Sequence, residues 1–170
     1  MIGADGSRCH CGERCGVGIT SQFDGQVSLT FPFRSDVVWR RVADLERIGE
    51  WSPECTGITW VAPATGPAPG ARFVGRNRIG PIRWRTTCTL TAWEPERLLA
   101  YDARHVTGAV TRWTFELTER GDTTVVTQRF ATVDSPWFMM LGDRVAGRPR
   151  RLLSGMEATL RAMRDSISPR

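Results

Sequence analysis

The sequence predicts an α+β domain in which one face of a seven-stranded antiparallel sheet is covered by a long C-terminal helix. Two observations support this prediction. Apolar and polar residues alternate from residue 57 to residue 133, whereas apolar residues near the C-terminus recur at helical spacing. The connections between the alternating segments are too short for parallel crossovers, so successive strands should form an antiparallel meander.

One strand and two short helices are predicted before the meander. Residues 27–33 alternate between apolar and polar types, which predicts a strand that stops at residues 32–33. Ser35 or Asp36 then caps a helix whose apolar residues have helical spacing. A second short helical turn follows and ends at Pro53.

Glycine and proline residues divide the meander into six strands. The predicted strands cover residues 57–61, 71–79, 82–93, 97–105, 109–119 and 123–133. A final helix follows the last strand. Its apolar stripe consists of Leu152, Met156, Leu160, Met163 and Ile167.

The N-terminal segment differs from the rest of the chain in composition. Residues 1–22 are rich in Cys and Gly and show no apolar period, which predicts a disordered tail, and residues 23–168 form one folded domain. The hydrophobic content of 41% is enough to build a core for that domain. The tail has a cluster with no C-x-x-C spacing, so we predict no metal site and leave its role open. The cluster consists of Cys9, His10, Cys11 and Cys15.

The charge of the chain is positive but dispersed. The formal net charge is +5, and all 23 basic residues are arginine. Because the arginines are scattered, we predict no nucleic-acid binding. The densest group, Arg148, Arg150 and Arg151, fits either a solvated helix face or an anionic docking patch. No apolar run is long enough to cross a bilayer, so we predict no stable membrane insertion and a cytoplasmic protein with reduced thiols.

Four segments carry sequence motifs that are similar to those of a known family. They are DVVWRRVADLERIGEWSPEC, GARFVGRNRIGPIRWRTTCTL, WEPERLLAYDA and the strand WTFEL. Together and in this order they resemble the polyketide cyclase/dehydrase and lipid-transport branch of the START-related SRPBCC superfamily. The resemblance extends over residues 23–167 and implies the helix-grip fold, in which the sheet wraps around the C-terminal helix. Proteins that look like this include aromatase/cyclases, lipid and sterol carriers and ligand sensors.

Strand alternation indicates which side chains face the covering helix and would line a cavity. The predicted wall is mostly aromatic and aliphatic, with a few polar groups, as in small-molecule sites. The alternative is an ordinary core in which the same rings fill the volume. The predicted ligand-binding residues are Trp51, Phe73, Asn77, Trp84, Thr86, Cys88, Trp113, Phe115, Gln128, Phe130 and Met156.

Two residues are candidates for proton transfer. His105 is the one histidine outside the tail, and it suits general acid or base chemistry unless it is a surface residue at a strand end. Tyr101 is the single tyrosine, and it would donate to a substrate carbonyl or enolate unless it is a core ring.

Three functions remain open from the sequence. The first is binding, and possible transport, of a lipid-like or polyketide-like molecule between the sheet and the helix. The second is a polyketide aromatase/cyclase or dehydratase that uses the same cavity, and the third is a protein-binding sensor module. No cofactor is implied, and we expect a monomer or a homodimer.

Overall fold

The computed structural model describes residues 16–21, 24–134 and 148–167. The described elements, in chain order, are β1 (Gly16–Ser21), β2 (Asp24–Phe31), α1 (Ser35–Val42), the 3₁₀ helix η1 (Leu45–Glu50), β3 (Cys55–Trp60), β4 (Arg72–Ile79), β5 (Ile82–Glu94), β6 (Leu98–His105), β7 (Val110–Arg120), β8 (Thr123–Asp134) and α2 (Arg148–Asp165).

The described strands form one antiparallel sheet with the order β1-β2-β8-β7-β6-β5-β4-β3. Strands β3 to β8 are neighbours in chain order, as the short connections predict, and β2 pairs with β8. The predicted meander boundaries lie within two residues of the observed ones. The largest difference is at β3, which begins at Cys55 instead of Gly57. The predicted α+β helix-grip architecture is confirmed.

The sheet has one strand more than the seven predicted. Strand β1 occupies residues 16–21, which the sequence pattern places in a disordered tail, and it pairs with β2 at Gly16–Ser28 and Val17–Val27. Pairing along a free sheet edge uses main-chain groups, so it needs no alternation of side chains that a pattern could reveal. Residues 1–15, including the cysteine cluster, lie outside the described residues.

The core lies between α2, α1 and the inner face of the sheet. Leu160 and Met163 of α2 are fully buried, as are Phe31 of β2 and Val126 of β8. Each such side chain contributes roughly 1.5–3 kcal/mol through removal from water. The predicted helical stripe is confirmed, except that Leu152 is half-buried and its neighbour Leu153 is buried.

A glycine allows α2 to approach the sheet closely. A Cβ atom at Gly25 of β2 would lie 2.7 Å from Phe130 Cε1 and 2.9 Å from Leu153 Cδ2, both closer than van der Waals contact. The missing side chain therefore sets the distance between the start of α2 and strands β2 and β8.

Helix α1 is capped differently from the sequence expectation. Ser35 is its first residue, Arg34 occupies the N-cap position, and no side chain of the cap bonds the helix. Glu119 of β7 instead accepts hydrogen bonds from both the backbone N–H and the hydroxyl of Ser35. The carboxylate that satisfies this helix end therefore comes from a distant strand, which local sequence could not indicate.

None of the helices among the described residues is long and apolar enough to span a bilayer.

Candidate functional site

A cavity of about 180 Å³ lies between the inner face of the sheet, η1 and the N-terminal half of α2. It exceeds the ~150 Å³ of an engineered apolar cavity that binds benzene. Strands β3 to β8 all contribute wall residues, because alternate side chains of each strand point to the same face. The interior is therefore not completely filled by the protein's own side chains.

The structure brings together every predicted site residue except Trp51. The predicted residues that line the cavity are Phe73, Asn77, Trp84, Thr86, Cys88, Tyr101, His105, Trp113, Phe115, Gln128, Phe130 and Met156. Their roles toward a ligand stay predictions.

Trp51 is the one predicted site residue that the structure places outside the cavity wall. The residue is 6% exposed and packs elsewhere in the core. The guanidinium groups of Arg41 and Arg47 lie 5.4 Å and 5.6 Å from the ring centroid. Trp51 follows η1 directly, so its ring packs among the helical residues and takes part in cation–π contacts instead of facing the sheet.

Aromatic rings form much of the wall and support one another. Phe73 and Tyr101 meet edge to face at a centroid distance of 5.3 Å, and Trp113 and Phe130 lie 5.9 Å apart. Such pairs add roughly 0.5–1.5 kcal/mol beyond area burial and fix the ring orientations. The wall is therefore apolar and held in place before a guest enters.

A small polar patch interrupts this wall on strands β4 and β5. Asn77 Nδ2 donates to Thr86 Oγ1 at 3.4 Å, and Thr86 Oγ1 lies 3.6 Å from Cys88 Sγ. Gly75 faces them, and a Cβ atom there would come within 2.9 Å of Thr86 Oγ1. Gly75 is not among the predicted site residues, although a glycine inside a strand is a known signal for close approach.

Two thiols line the cavity without being reactive nucleophiles. Burial raises the pKa of the Cys88 thiol to about 11, and burial also raises the pKa of Cys55. Both thiols are therefore protonated near neutral pH, where the thiolate would be the attacking form. They act as small apolar wall groups with a weak donor.

Tyr101 is placed to present a proton to the cavity. Burial raises the pKa of its phenol well above the ordinary value, and negative charge on Cys88 and Cys55 in alkaline solution would add to the rise. No described residue hydrogen-bonds the Tyr101 hydroxyl, so this donor is available to a guest. The phenol stays protonated, as an acid or a hydrogen-bond donor requires.

His105 lies at the other end of the same face of β6. Its ring is half-buried, and Nδ1 lies 3.1 Å from Thr107 Oγ1. It lies four positions after Tyr101 in the strand, which corresponds to about 13 Å of backbone. The two candidates therefore stand at different positions along the cavity wall.

Gln128 places a buried amide in the cavity wall. The side chain is 5% exposed and lines the cavity, and its Oε1 has no hydrogen-bond partner among the described residues. Leaving a buried acceptor unpaired costs roughly 1–3 kcal/mol. The amide oxygen is therefore an acceptor that a water molecule or a guest in the cavity would satisfy.

The cavity reaches the surface between the segment after η1 and α2. Pro53 and Arg151 are exposed residues of its lining. A Cβ atom at Gly155 of α2 would lie 3.6 Å from Pro53 Cγ, so the glycine leaves this gap open. Gly155 and the η1 residues Leu45 and Ile48 are not among the predicted wall residues, because a helical pattern does not show which apolar residue borders a void.

Among the described residues, no group of three or more His, Cys, Asp or Glu side chains is placed to hold a metal ion. The polar lining of the cavity consists of amide, hydroxyl and thiol groups and the His105 ring. Glu54 and Arg151 are its acidic and basic residues.

Solved structures of other proteins share this architecture. A polyketide-cyclase-like protein of Corynebacterium glutamicum is 27% identical with a TM-score of 0.55, over 83% of this chain and 88% of that one. A protein of Thermus thermophilus is 15% identical with a TM-score of 0.67, over 85% and 96% of the two chains. The di-domain ARO/CYC StfQ from the steffimycin biosynthetic pathway is 12% identical with a TM-score of 0.67, over 86% of this chain and 51% of that one. The last two likenesses concern the fold alone.

Comparison by sequence finds a family but no individual protein. No curated protein matches the chain in sequence. A family model described as polyketide cyclase/dehydrase and lipid transport matches residues 22–165, which is most of the chain. The chain therefore belongs to the polyketide cyclase/dehydrase and lipid-transport family, within the START-related SRPBCC superfamily.

Proposed function

We propose that the protein binds a hydrophobic small molecule, lipid-like or polyketide-like, in the cavity between the sheet and α2, and that it carries this molecule. The cavity of about 180 Å³ with its aromatic wall is the observation that supports the proposal. A guest that buries ~200 Å² of apolar surface would gain about 5 kcal/mol before the entropic cost of binding.

The few polar groups of the wall would orient the guest. The Tyr101 hydroxyl is a donor without a described partner, and the Asn77–Thr86 pair forms a separate polar patch. A mostly apolar wall with a few such groups provides affinity through burial and selectivity through the polar contacts.

Filling the cavity tests this proposal. Ala103 of β6 is buried and lines the cavity, so Ala103→Phe would occupy the space that a guest needs. We expect the variant to remain folded and to lose binding of an apolar fluorescent probe such as N-phenyl-1-naphthylamine. The matched control is Ala158→Phe on the exposed side of α2, which should bind the probe like the unmodified protein.

Two results would contradict the proposal. One is unchanged probe binding in Ala103→Phe, and the other is no binding of any apolar probe by the unmodified protein. Native mass spectrometry of protein purified from its own host would add a direct measurement, since a carried molecule should co-purify and be lost from Ala103→Phe.

The second candidate function is a cofactor-independent aromatase/cyclase or dehydratase. The protonated Tyr101 phenol, which has no hydrogen-bond partner among the described residues, favours it, because a general acid in an apolar cavity can protonate a carbonyl or enolate oxygen. Tyr101→Phe separates the two functions. If the protein is a carrier, this variant keeps most of its affinity, because apolar burial provides it, and loses only the selectivity that the hydroxyl adds. Loss of product with intact binding would support the enzyme.

A further inference from the structure

The three large apolar side chains that are exposed among the described residues lie at one end of the sheet. Ile82 is 66% exposed, Val106 82% and Val133 52%. The antiparallel registers place the start of β5, the β6–β7 connection and the end of β8 at this same end. A single exposed apolar residue is ordinary, so these three gain meaning only together with the charge that surrounds them.

Arginines face one another on the β4–β5 hairpin at this end. Arg76 lies directly opposite Arg85, and Arg78 directly opposite Arg83. All four side chains are exposed, and none forms an ion pair with any residue in the described parts of the chain. Like charges directly opposite each other destabilise a strand pair, so this arrangement opposes folding.

Arg104 of β6 extends this positive face. It lies opposite Thr87, which follows Arg85 by two residues and shares its face of the sheet. Its guanidinium donates to the Gly108 carbonyl and to no described carboxylate. We call the set of Arg76, Arg78, Arg83, Arg85 and Arg104, together with the tips Ile82, Val106 and Val133, the hairpin end.

The carboxylates of these three strands do not compensate the charge. Strands β4, β5 and β6 contain two acidic residues, Glu94 and Asp102. Glu94 lies at the opposite end of β5 and is bonded by Arg97, and Asp102 is bound by Arg112 at 2.7 Å and 2.8 Å. Two further acidic residues lie at this end on neighbouring strands, Glu54 beside Arg78 and Asp134 at the end of β8. Five arginines against these two carboxylates still leave the hairpin end positively charged toward an external anion.

We infer that the hairpin end docks on an anionic lipid surface. Arginines bind lipid phosphates, and isolated aliphatic tips between them enter the boundary between headgroups and acyl chains. Nucleic acids and acidic proteins would satisfy the arginines but would leave separate aliphatic tips without a partner. Trp84 and His105 of the cavity wall lie near the same end, so docking would bring the cavity close to the lipid.

This docking goes beyond the proposed function, and it can be tested without knowing the cavity's ligand. The measurement is co-sedimentation with phosphatidylcholine vesicles, with and without one-third phosphatidylglycerol. We expect binding to the anionic vesicles alone, and weaker binding as NaCl concentration rises. Arg83→Gln with Arg85→Gln should weaken binding about 30-fold, at roughly fivefold for each arginine.

The apolar tips provide an independent variant. Ile82→Ser with Val106→Ser keeps the charge and removes the aliphatic contact, and we expect a loss of similar size. The matched control is Arg72→Gln with Arg120→Gln, which removes two exposed arginines at the opposite end of the sheet. This control should bind vesicles like the unmodified protein.

The inference is overturned if the unmodified protein does not bind anionic vesicles, or if the control variant loses as much binding as the hairpin variants. It is also overturned if duplex DNA or polyglutamate binds as tightly and the Ile82 and Val106 changes have no effect, because the surface would then recognise charge alone. Apolar-probe binding is measured on the same variants. Intact probe binding without vesicle binding would reject the docking and leave the proposed function standing.

Discussion

Ser35 donates both its backbone N–H and its hydroxyl to the same carboxylate oxygen of Glu119, at 3.0 Å and 2.5 Å. The contact joins the start of α1 to the end of β7 across a large separation in sequence. It holds the helix that covers one end of the core against the sheet.

This contact predicts a dependence of stability on pH. The hydrogen bonds from Ser35 lower the pKa of Glu119 from its ordinary value of 4.5, and the charge of Arg34 adds to the effect. A carboxyl whose pKa is lowered in the folded state stabilises that state at pH values above its unfolded pKa. This contribution is lost as the pH falls through the lowered folded-state pKa. The unmodified protein should therefore be more stable than Glu119→Gln above about pH 5, and the difference should shrink in more acidic solution.

Urea unfolding of both proteins between about pH 3 and pH 7 measures this difference, because this range spans the ordinary pKa of a glutamate carboxyl. Asp122→Asn in the β7–β8 turn is the control, since Asp122 has no described partner. A gap between unmodified protein and Glu119→Gln that stays constant over the whole range would contradict the prediction.

Gln128→Leu should stabilise the protein. The change removes a buried acceptor that has no described partner and replaces it with an apolar group of similar volume. We therefore expect the free energy of unfolding to rise by about 1–2 kcal/mol.

Thr124→Val should have the opposite effect. The Thr124 hydroxyl donates to the Phe33 carbonyl at 2.8 Å, and its loss should destabilise by about 1 kcal/mol. Chemical denaturation of both variants measures the two effects, and destabilisation by Gln128→Leu would show that the amide is satisfied in solution.

Cys88 should react slowly with iodoacetamide. Its pKa of about 11 leaves roughly one thiol in a thousand as thiolate at pH 8. Peptide mass spectrometry of the native protein should show Cys88 unmodified under conditions that alkylate a free cysteine peptide completely. The rate should rise steeply as pH approaches 11. Rapid alkylation of the folded protein near neutral pH would contradict the buried position of this thiol.

Gly25→Val should loosen the contact between α2 and the sheet. The added side chain would collide with Phe130 and Leu153, and such overpacking costs about 1–3 kcal/mol. Gly66→Val is the control, because no heavy atom lies within 4 Å of a Cβ atom there. Thermal unfolding of both variants measures the effect, and equal melting temperatures would show that α2 shifts without cost.

The sequence could predict most of the cavity wall for a specific reason. Side chains two residues apart in a strand share a face, so the period of the pattern assigns Trp113 and Phe115, or Gln128 and Phe130, to the same side without knowledge of the fold. The same argument places Arg83 and Arg85 on the outer face, where they are found. Whether that inner face is filled or encloses a void depends on fractions of an ångström in packing, which the pattern does not contain.

The tertiary structure decided what depends on contacts between distant segments. Trp51 packs on arginines from two helices, Glu119 satisfies the start of a helix 84 residues before it, and the glycine at position 25 allows α2 to approach β2. Strand β1 pairs through main-chain groups, which carry no side-chain signal. The sequence by itself determined the period of each element and therefore the faces of the sheet, because side-chain direction is a local property of the backbone. Only the folded chain determined the void, the cap and the position of Arg104, Val106 and Val133 beside the hairpin arginines, because each of these requires groups that sequence separates and the antiparallel register brings together.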